Sequence, residues 1–72
     1  MERIEGMNRV EMAGYRWGRK HLHAADFVVT AAGKKWVRKA TNLAAKIQTE
    51  RDFYRGVACA RITAEVLAER AA

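Results

Sequence analysis

Two tryptophans that stand among basic residues are the side chains best suited to chemistry in this chain of 72 residues. Residues 16–20 and residues 35–39 both read basic, Trp, any residue, Arg, Lys. Cations beside an indole offer phosphate contacts and a stacking surface together, and single-stranded or flipped nucleotides bind to that combination. In the alternative interpretation both rings anchor a core, while the neighbouring Lys and Arg stems reach water.

The two tryptophans are predicted to differ in role. Trp36 shares one helical face with Ala40, Leu43 and Ile47, so we predict that it lies in the core. Trp17 lies in a segment with several glycines and stands among cations, so we expect it to anchor a ligand or a partner.

Positive charge is concentrated in the middle of the chain. Residues 16–46 contain eight Lys and Arg against one Asp, whereas residues 1–15 carry a net charge of −1 and residues 47–72 are balanced. This segregation indicates an anionic partner, and a merely solvated basic face is the alternative. Lys and Arg hold phosphates without reading bases, so binding would depend steeply on salt and little on nucleotide sequence. The predicted binding residues are Arg16, Trp17, Arg19, Lys20, Lys34, Lys35, Arg38, Lys39 and Lys46.

The remaining reactive side chains do not form a recognisable catalytic or metal site. His21 and His23 would point about 200° apart on a helix and so would not share a metal ion. Cys59 is the single cysteine and lies on an apolar stripe, where a thiol is typically inert. The chain also lacks a glycine-rich phosphate loop. We therefore predict a non-enzymatic protein with no catalytic residues, no metal and no cofactor.

The spacing of apolar residues predicts an all-α fold of three to four helices in an up-down arrangement, as a single domain over residues 1–72. The clearest helix covers residues 50–71, with Thr49 and Asp52 as a capping box before an apolar face. The members of that face are Phe53, Val57, Ala60, Ala64, Leu67 and Ala71.

The two preceding helices are less regular. The first is predicted over residues 8–22, where Gly14 or Gly18 would let another helix approach closely although glycine lowers helix propensity. The second is predicted over residues 24–48 as an amphipathic helix with a basic polar side and a bend or break near Gly33.

A hairpin is the alternative structure for residues 26–38. This segment contains β-branched and aromatic residues, which would give an α+β fold with two short strands. The turn of that hairpin would read Ala-Ala-Gly, which is a poor hairpin turn, so we favour the helix.

We expect the chain to form a homodimer or a larger homo-oligomer. A domain of this length builds a core of only marginal stability. The last helix also carries a second apolar stripe that one partner surface could not cover together with the first. The members of this predicted oligomer interface are Cys59, Ile62 and Val66.

Two functions fit these features. No apolar run approaches a length of about 18 residues, which a membrane span requires, and the first residues lack a signal-peptide pattern, so we predict a cytoplasmic protein without membrane contact. The first function is a helical module that binds nucleic acid or another phosphate-rich partner. The alternative is a small inhibitor or adaptor of the type found in phages and mobile elements, which binds an acidic surface of a larger host protein and blocks it.

Overall fold

The computed structural model describes residues 6–71, which form three helices joined by two short turns. The helices are α1 (Arg9–Lys20), α2 (Asp26–Val37) and α3 (Leu43–Ala71). The all-α prediction is confirmed, and no strand occurs within residues 6–71. The hairpin alternative is not supported, because residues 26–37 are helical. Predictions that concern residues 1–5 and 72, including the lack of a signal peptide, lie outside the described residues.

α1 begins where a capping box satisfies its free backbone N–H groups. The Glu11 N–H donates to Asn8 Oδ1 at 2.9 Å, and the Asn8 N–H donates to Glu11 Oε1 at 3.1 Å. The bounds of 8–22, which were predicted from apolar spacing, lie within two residues of those of α1. Asn8 also joins α1 to α3, since its Nδ2 donates to Asp52 at 3.1 Å while Gln48 Nε2 donates to the same carboxylate at 2.9 Å.

The boundary between α2 and α3 differs from the prediction. α2 ends at Val37, well before residue 48, and α3 begins at Leu43, seven residues before the predicted start. The cause is Asn42, whose side-chain Oδ1 accepts the Ala45 N–H at 2.8 Å and so caps α3. The predicted capping box at Thr49 is wrong, because Thr49 lies inside α3.

Gly33 does not break α2. It lies inside the helix and is buried, and a Cβ at this position would lie 3.1 Å from the ring of Phe53. The missing side chain therefore makes room for that ring. The predicted break at Gly33 is wrong, because the chain leaves the helical conformation only at residues 38–42.

α1 and α3 approach each other closely because three glycines lie at their contact. A Cβ on Gly14 would overlap the carbonyl oxygen of Phe53, and a Cβ on Gly56 would overlap the carbonyl oxygen of Glu11. A Cβ on Gly18 would lie 2.9 Å from a side chain of α3. The prediction that Gly14 or Gly18 permits a close helix approach is confirmed, and Gly56 supplies the matching gap on α3.

The core consists of two buried clusters along the middle of α3. The first joins α1 to α3, and the second joins α2 to α3. The first cluster contains Met12, Tyr15 and Ala60. The second contains Val29, Phe53 and Val57. The predicted core face of α3 is confirmed as far as Ala60. Beyond it the prediction is wrong for Leu67 and Ala71, which are exposed because no other helix extends that far.

α3 extends beyond the other two helices at both ends. At about 1.5 Å per residue its 29 residues span about 43 Å, whereas α1 and α2, with 12 residues each, span about 18 Å. Large apolar side chains are exposed on these end regions, namely Leu43, Ile47, Ile62, Val66 and Leu67. None of the helices in residues 6–71 combines the length and the apolar character needed to cross a lipid bilayer.

Candidate binding groove

The two tryptophan-containing segments meet in one groove between α1 and α2. The groove has a volume of about 360 Å³. A short turn at residues 21–25 joins these two helices and makes them antiparallel neighbours, so side chains far apart in the sequence come together. The lining residues are Ala13, Arg16, Trp17, Ala32, Lys35, Trp36 and Phe53.

Trp17 and Trp36 occupy similar environments in this groove. Both are half-buried, and both pack against the cluster of Val29, Phe53 and Val57. The structure therefore does not separate a core tryptophan from a surface tryptophan as predicted. Trp36 lies one residue before the end of α2, so its ring reaches the edge of the core and not its centre.

Two aromatic contacts orient the Trp17 ring. Its centroid lies 4.5 Å from that of His21 with an interplanar angle of 75°, and 6.1 Å from that of Phe53 with an angle of 51°. Edge-to-face and tilted arrangements of this kind are favourable for aromatic pairs. They hold the indole in place while part of its surface stays open to the groove.

A cation lies over the Trp36 ring. The Lys39 Nζ is 4.7 Å from the ring centroid, which is within the range of a cation–π contact. Lys39 is exposed and belongs to the turn after α2, so it can leave the ring without disturbing a helix. Because Trp36 and Lys39 are three positions apart, this contact could have been predicted from the sequence alone.

Some of the predicted binding cations gather at this groove. Arg16 and Lys35 line it from α1 and α2 respectively, and both side chains are exposed. Lys39 adds a third cation through its contact with Trp36. Arg19 is directed elsewhere, because its Nη1 donates to the Tyr15 hydroxyl at 3.3 Å and its guanidinium lies 6.0 Å from the Tyr15 ring centroid.

The other predicted cations do not line the groove. The basic polar side predicted for a single helix over residues 24–48 would have included Lys46 together with Lys35 and Lys39. These three residues lie instead on α3, on α2 and on the turn after α2 respectively, so that side is divided among three segments. Three other exposed cations are close in sequence to residues that line the groove, and they add positive charge around the groove. They are Lys20, Lys34 and Arg38.

Four lining residues were not among the predicted binding residues, and one of them is Trp36, which was predicted to lie in the core. Ala13 and Ala32 leave open space between the helices because their side chains are small, and Phe53 is a core residue with 3 % exposure that α3 contributes to the groove. The repeated tryptophan motif was the available signal. It did not identify Ala13, Ala32 and Phe53, because their meeting depends on how α1 and α2 pack on α3.

A larger groove, of about 470 Å³, lies between α2 and α3. Its lining mixes Glu50 with Arg51 and Arg55, and the hydroxyl of Tyr54, another lining residue, donates to Asp26 at 3.2 Å. Charges of both signs at this place give little preference for an anionic ligand. By contrast, none of the residues lining the groove between α1 and α2 carries a carboxylate.

The groove between α1 and α2 is suited to binding. It supplies indole surface and cations, and its lining residues include no nucleophile paired with a base. Among the described residues, no group of three or more His, Cys, Asp or Glu side chains is placed to hold a metal ion. The chain matches no known protein family, no curated protein and no solved structure.

Proposed function

We propose that this protein is a small, non-enzymatic binding module that holds a nucleic acid at the groove between α1 and α2. One observation carries the proposal. Two basic tryptophan motifs, separated in the sequence, contribute to one groove. Arg16 and Trp17 line it from the first motif, Lys35 and Trp36 line it from the second, and both indoles are half-buried. The net charge of +6 acts in the same direction, because it attracts a polyanion from a distance. A cytoplasmic location is part of this proposal.

The phosphate contacts come from Arg16 and Lys35. Exposed Lys and Arg side chains neutralise phosphates and release counterions, so each contact adds about 0.7 to 0.9 to the slope of log affinity against log salt. These contacts position a nucleic acid without reading its bases. The proposed binding is therefore weak at physiological salt, strong at low salt and nearly independent of sequence.

A charge-reversal pair tests this proposal. We expect Lys35→Glu to weaken binding of a fluorescent oligonucleotide by tenfold or more, and to lower the salt slope by about 1, because it removes a phosphate contact. Lys46→Glu is the matched control, since it changes the net charge equally on an exposed residue that does not line the groove. Fluorescence anisotropy over a salt series measures both variants.

The control variant distinguishes binding at the groove from attraction by the net charge of the protein. If Lys46→Glu weakens binding as much as Lys35→Glu does, only the net charge matters and the groove is not the binding site. Equal circular dichroism spectra for the two variants would show that helicity is unchanged, as expected for exposed substitutions.

A second proposed function is a protein-binding inhibitor or adaptor that covers an acidic or nucleic-acid-binding surface of a larger protein. The observation that favours it is the exposure of large apolar side chains, since Phe27 is 77 % exposed and Leu43 is 73 % exposed. Apolar patches on a small protein often mark protein contacts. Failure of the protein to bind any oligonucleotide at low salt would support this function over the first.

A further inference from the structure

The aromatic lining of the groove adds a selectivity that phosphate contacts alone do not have. We propose that the groove accepts an unpaired base of a single-stranded nucleic acid, stacked on an indole, while Arg16 and Lys35 hold the adjoining phosphates. This inference rests on the proposed function and refines it from nucleic acid in general to single strands.

The lining of the groove suits a flat aromatic ring. Its volume of about 360 Å³ lies in the range of small-molecule sites, and its lining residues include two tryptophans and two alanines. Ala13 and Ala32 leave the gap, and Phe53 closes one side of it. A duplex keeps its bases paired and stacked inside the helix, so its base faces cannot reach such a gap.

The exposure of the indoles points to the same ligand. Trp17 and Trp36 each pack on the core with part of their surface and leave the remainder open. Open aromatic surface beside cations is the arrangement by which proteins bind single strands without sequence preference. Charge complementarity therefore selects a polyanion, and the indoles select one whose bases are accessible.

The contact between Lys39 and Trp36 is the step at which a base would enter. The ammonium lies 4.7 Å from the ring centroid, on an exposed and flexible side chain. Stacking of a base on an aromatic ring is generally stronger than an exposed cation–π contact, so a base displaces Lys39 from the ring. The released ammonium is then free to contact a phosphate of the same strand.

Intrinsic fluorescence reports this groove directly, because the chain contains two tryptophans and both line it. The full chain is titrated at low salt with three probes of about 12 nucleotides. The probes are a thymidine oligomer, an abasic strand with the same number of phosphates, and a hairpin duplex. Anisotropy of a labelled end gives the affinity, and tryptophan emission gives the contact with the bases.

The expected result is a difference between probes of equal charge. The thymidine oligomer should quench the tryptophans and bind at least about tenfold more tightly than the abasic strand and the duplex. If the abasic strand binds equally well without quenching, this inference fails while the proposed function stands. If no probe binds at low salt, both fail.

Two variants assign the stacking to a particular ring. Trp36→Leu should bind the thymidine oligomer only as tightly as it binds the abasic strand, so the preference for a strand with bases is lost. Trp36→Phe should restore most of the preference, because it keeps an aromatic face. If Trp36→Leu still prefers the thymidine oligomer over the abasic strand, the base does not stack on Trp36. If that variant does not fold, the comparison of the three probes on the wild-type protein still tests the inference.

Discussion

At the scale of single residues, the two tryptophans carry both the stability of the groove and its proposed binding. Trp17 and Trp36 pack on the same cluster, and both are half-buried. A residue that packs half of its surface on the core still loses contacts when it is truncated. The proposed binding and the stability are therefore coupled at these two positions, and truncation to alanine does not separate them.

We expect Trp17→Ala and Trp36→Ala to destabilise the protein by similar amounts. Each should lower the free energy of unfolding by about 2 to 3 kcal/mol, which is less than the cost for a fully buried tryptophan because each ring is only half-buried. Urea denaturation followed by circular dichroism measures both variants. Near-neutral stability for Trp17→Ala beside a large loss for Trp36→Ala would restore the sequence-based prediction that only Trp36 is a core residue.

At the scale of the helices, glycine positions decide how closely α1 lies on α3. Gly14 faces the backbone of Phe53, which cannot move without separating the two helices. Gly33 faces only the ring of Phe53, whose side chain can shift by a few tenths of an ångström. Two glycines in helix interiors thus have different tolerances for a methyl group.

We expect Gly14→Ala to destabilise the protein and Gly33→Ala to be tolerated. The Cβ on Gly14 would overlap a carbonyl oxygen, so the loss should exceed about 2 kcal/mol despite the gain in helix propensity. For Gly33→Ala the propensity gain of about 1 kcal/mol offsets the tighter contact with Phe53. Thermal melts of the two variants make the comparison, and equal melting temperatures would contradict the close contact between α1 and α3.

At the scale of the whole molecule, α3 offers apolar surface that α1 and α2 leave uncovered. Ile62 is 60 % exposed, Val66 is 40 % exposed and Leu67 is 46 % exposed, all on the end region beyond the core. Cys59, which was predicted in the same interface, is half-buried against the cluster of Met12 and Tyr15. The interface that we still predict for a second copy is therefore centred on Ile62 and Val66.

We expect the wild-type protein to form a homodimer through this end of α3, because a self-complementary apolar stripe is buried when two copies pair. Ile62→Glu should shift the mass measured by light scattering to that of the monomer. Ala68→Glu is the control, since this exposed residue lies on a different side of the same helix. A wild-type protein that is monomeric at tens of micromolar, or dimers that persist in Ile62→Glu, would exclude this interface.

The sequence by itself determined the helical class, the start of α1, the close approach at Gly14 and Gly18, and the concentration of positive charge. Each of these follows from residues within a few positions of one another. Apolar spacing of three and four residues predicts a helix, and in the first segment it placed the helix start within one residue of Arg9. The chemistry of the proposed binding, with cations beside indoles, also comes from the sequence pattern of residues 16–20 and 35–39.

Only the tertiary structure decided which side chains share the groove, whereas the end of α2 is followed by a local cap that the apolar spacing does not reveal. The apolar spacing of Trp36 continues past residue 40 as if the helix did, but Asn42 caps a new helix that folds back along α2. This turn takes Lys46 away from Lys35. Arg16 and Lys35 line one groove because α1 and α2 both pack on α3. Such a meeting of distant segments leaves no periodicity in the sequence from which it could be predicted.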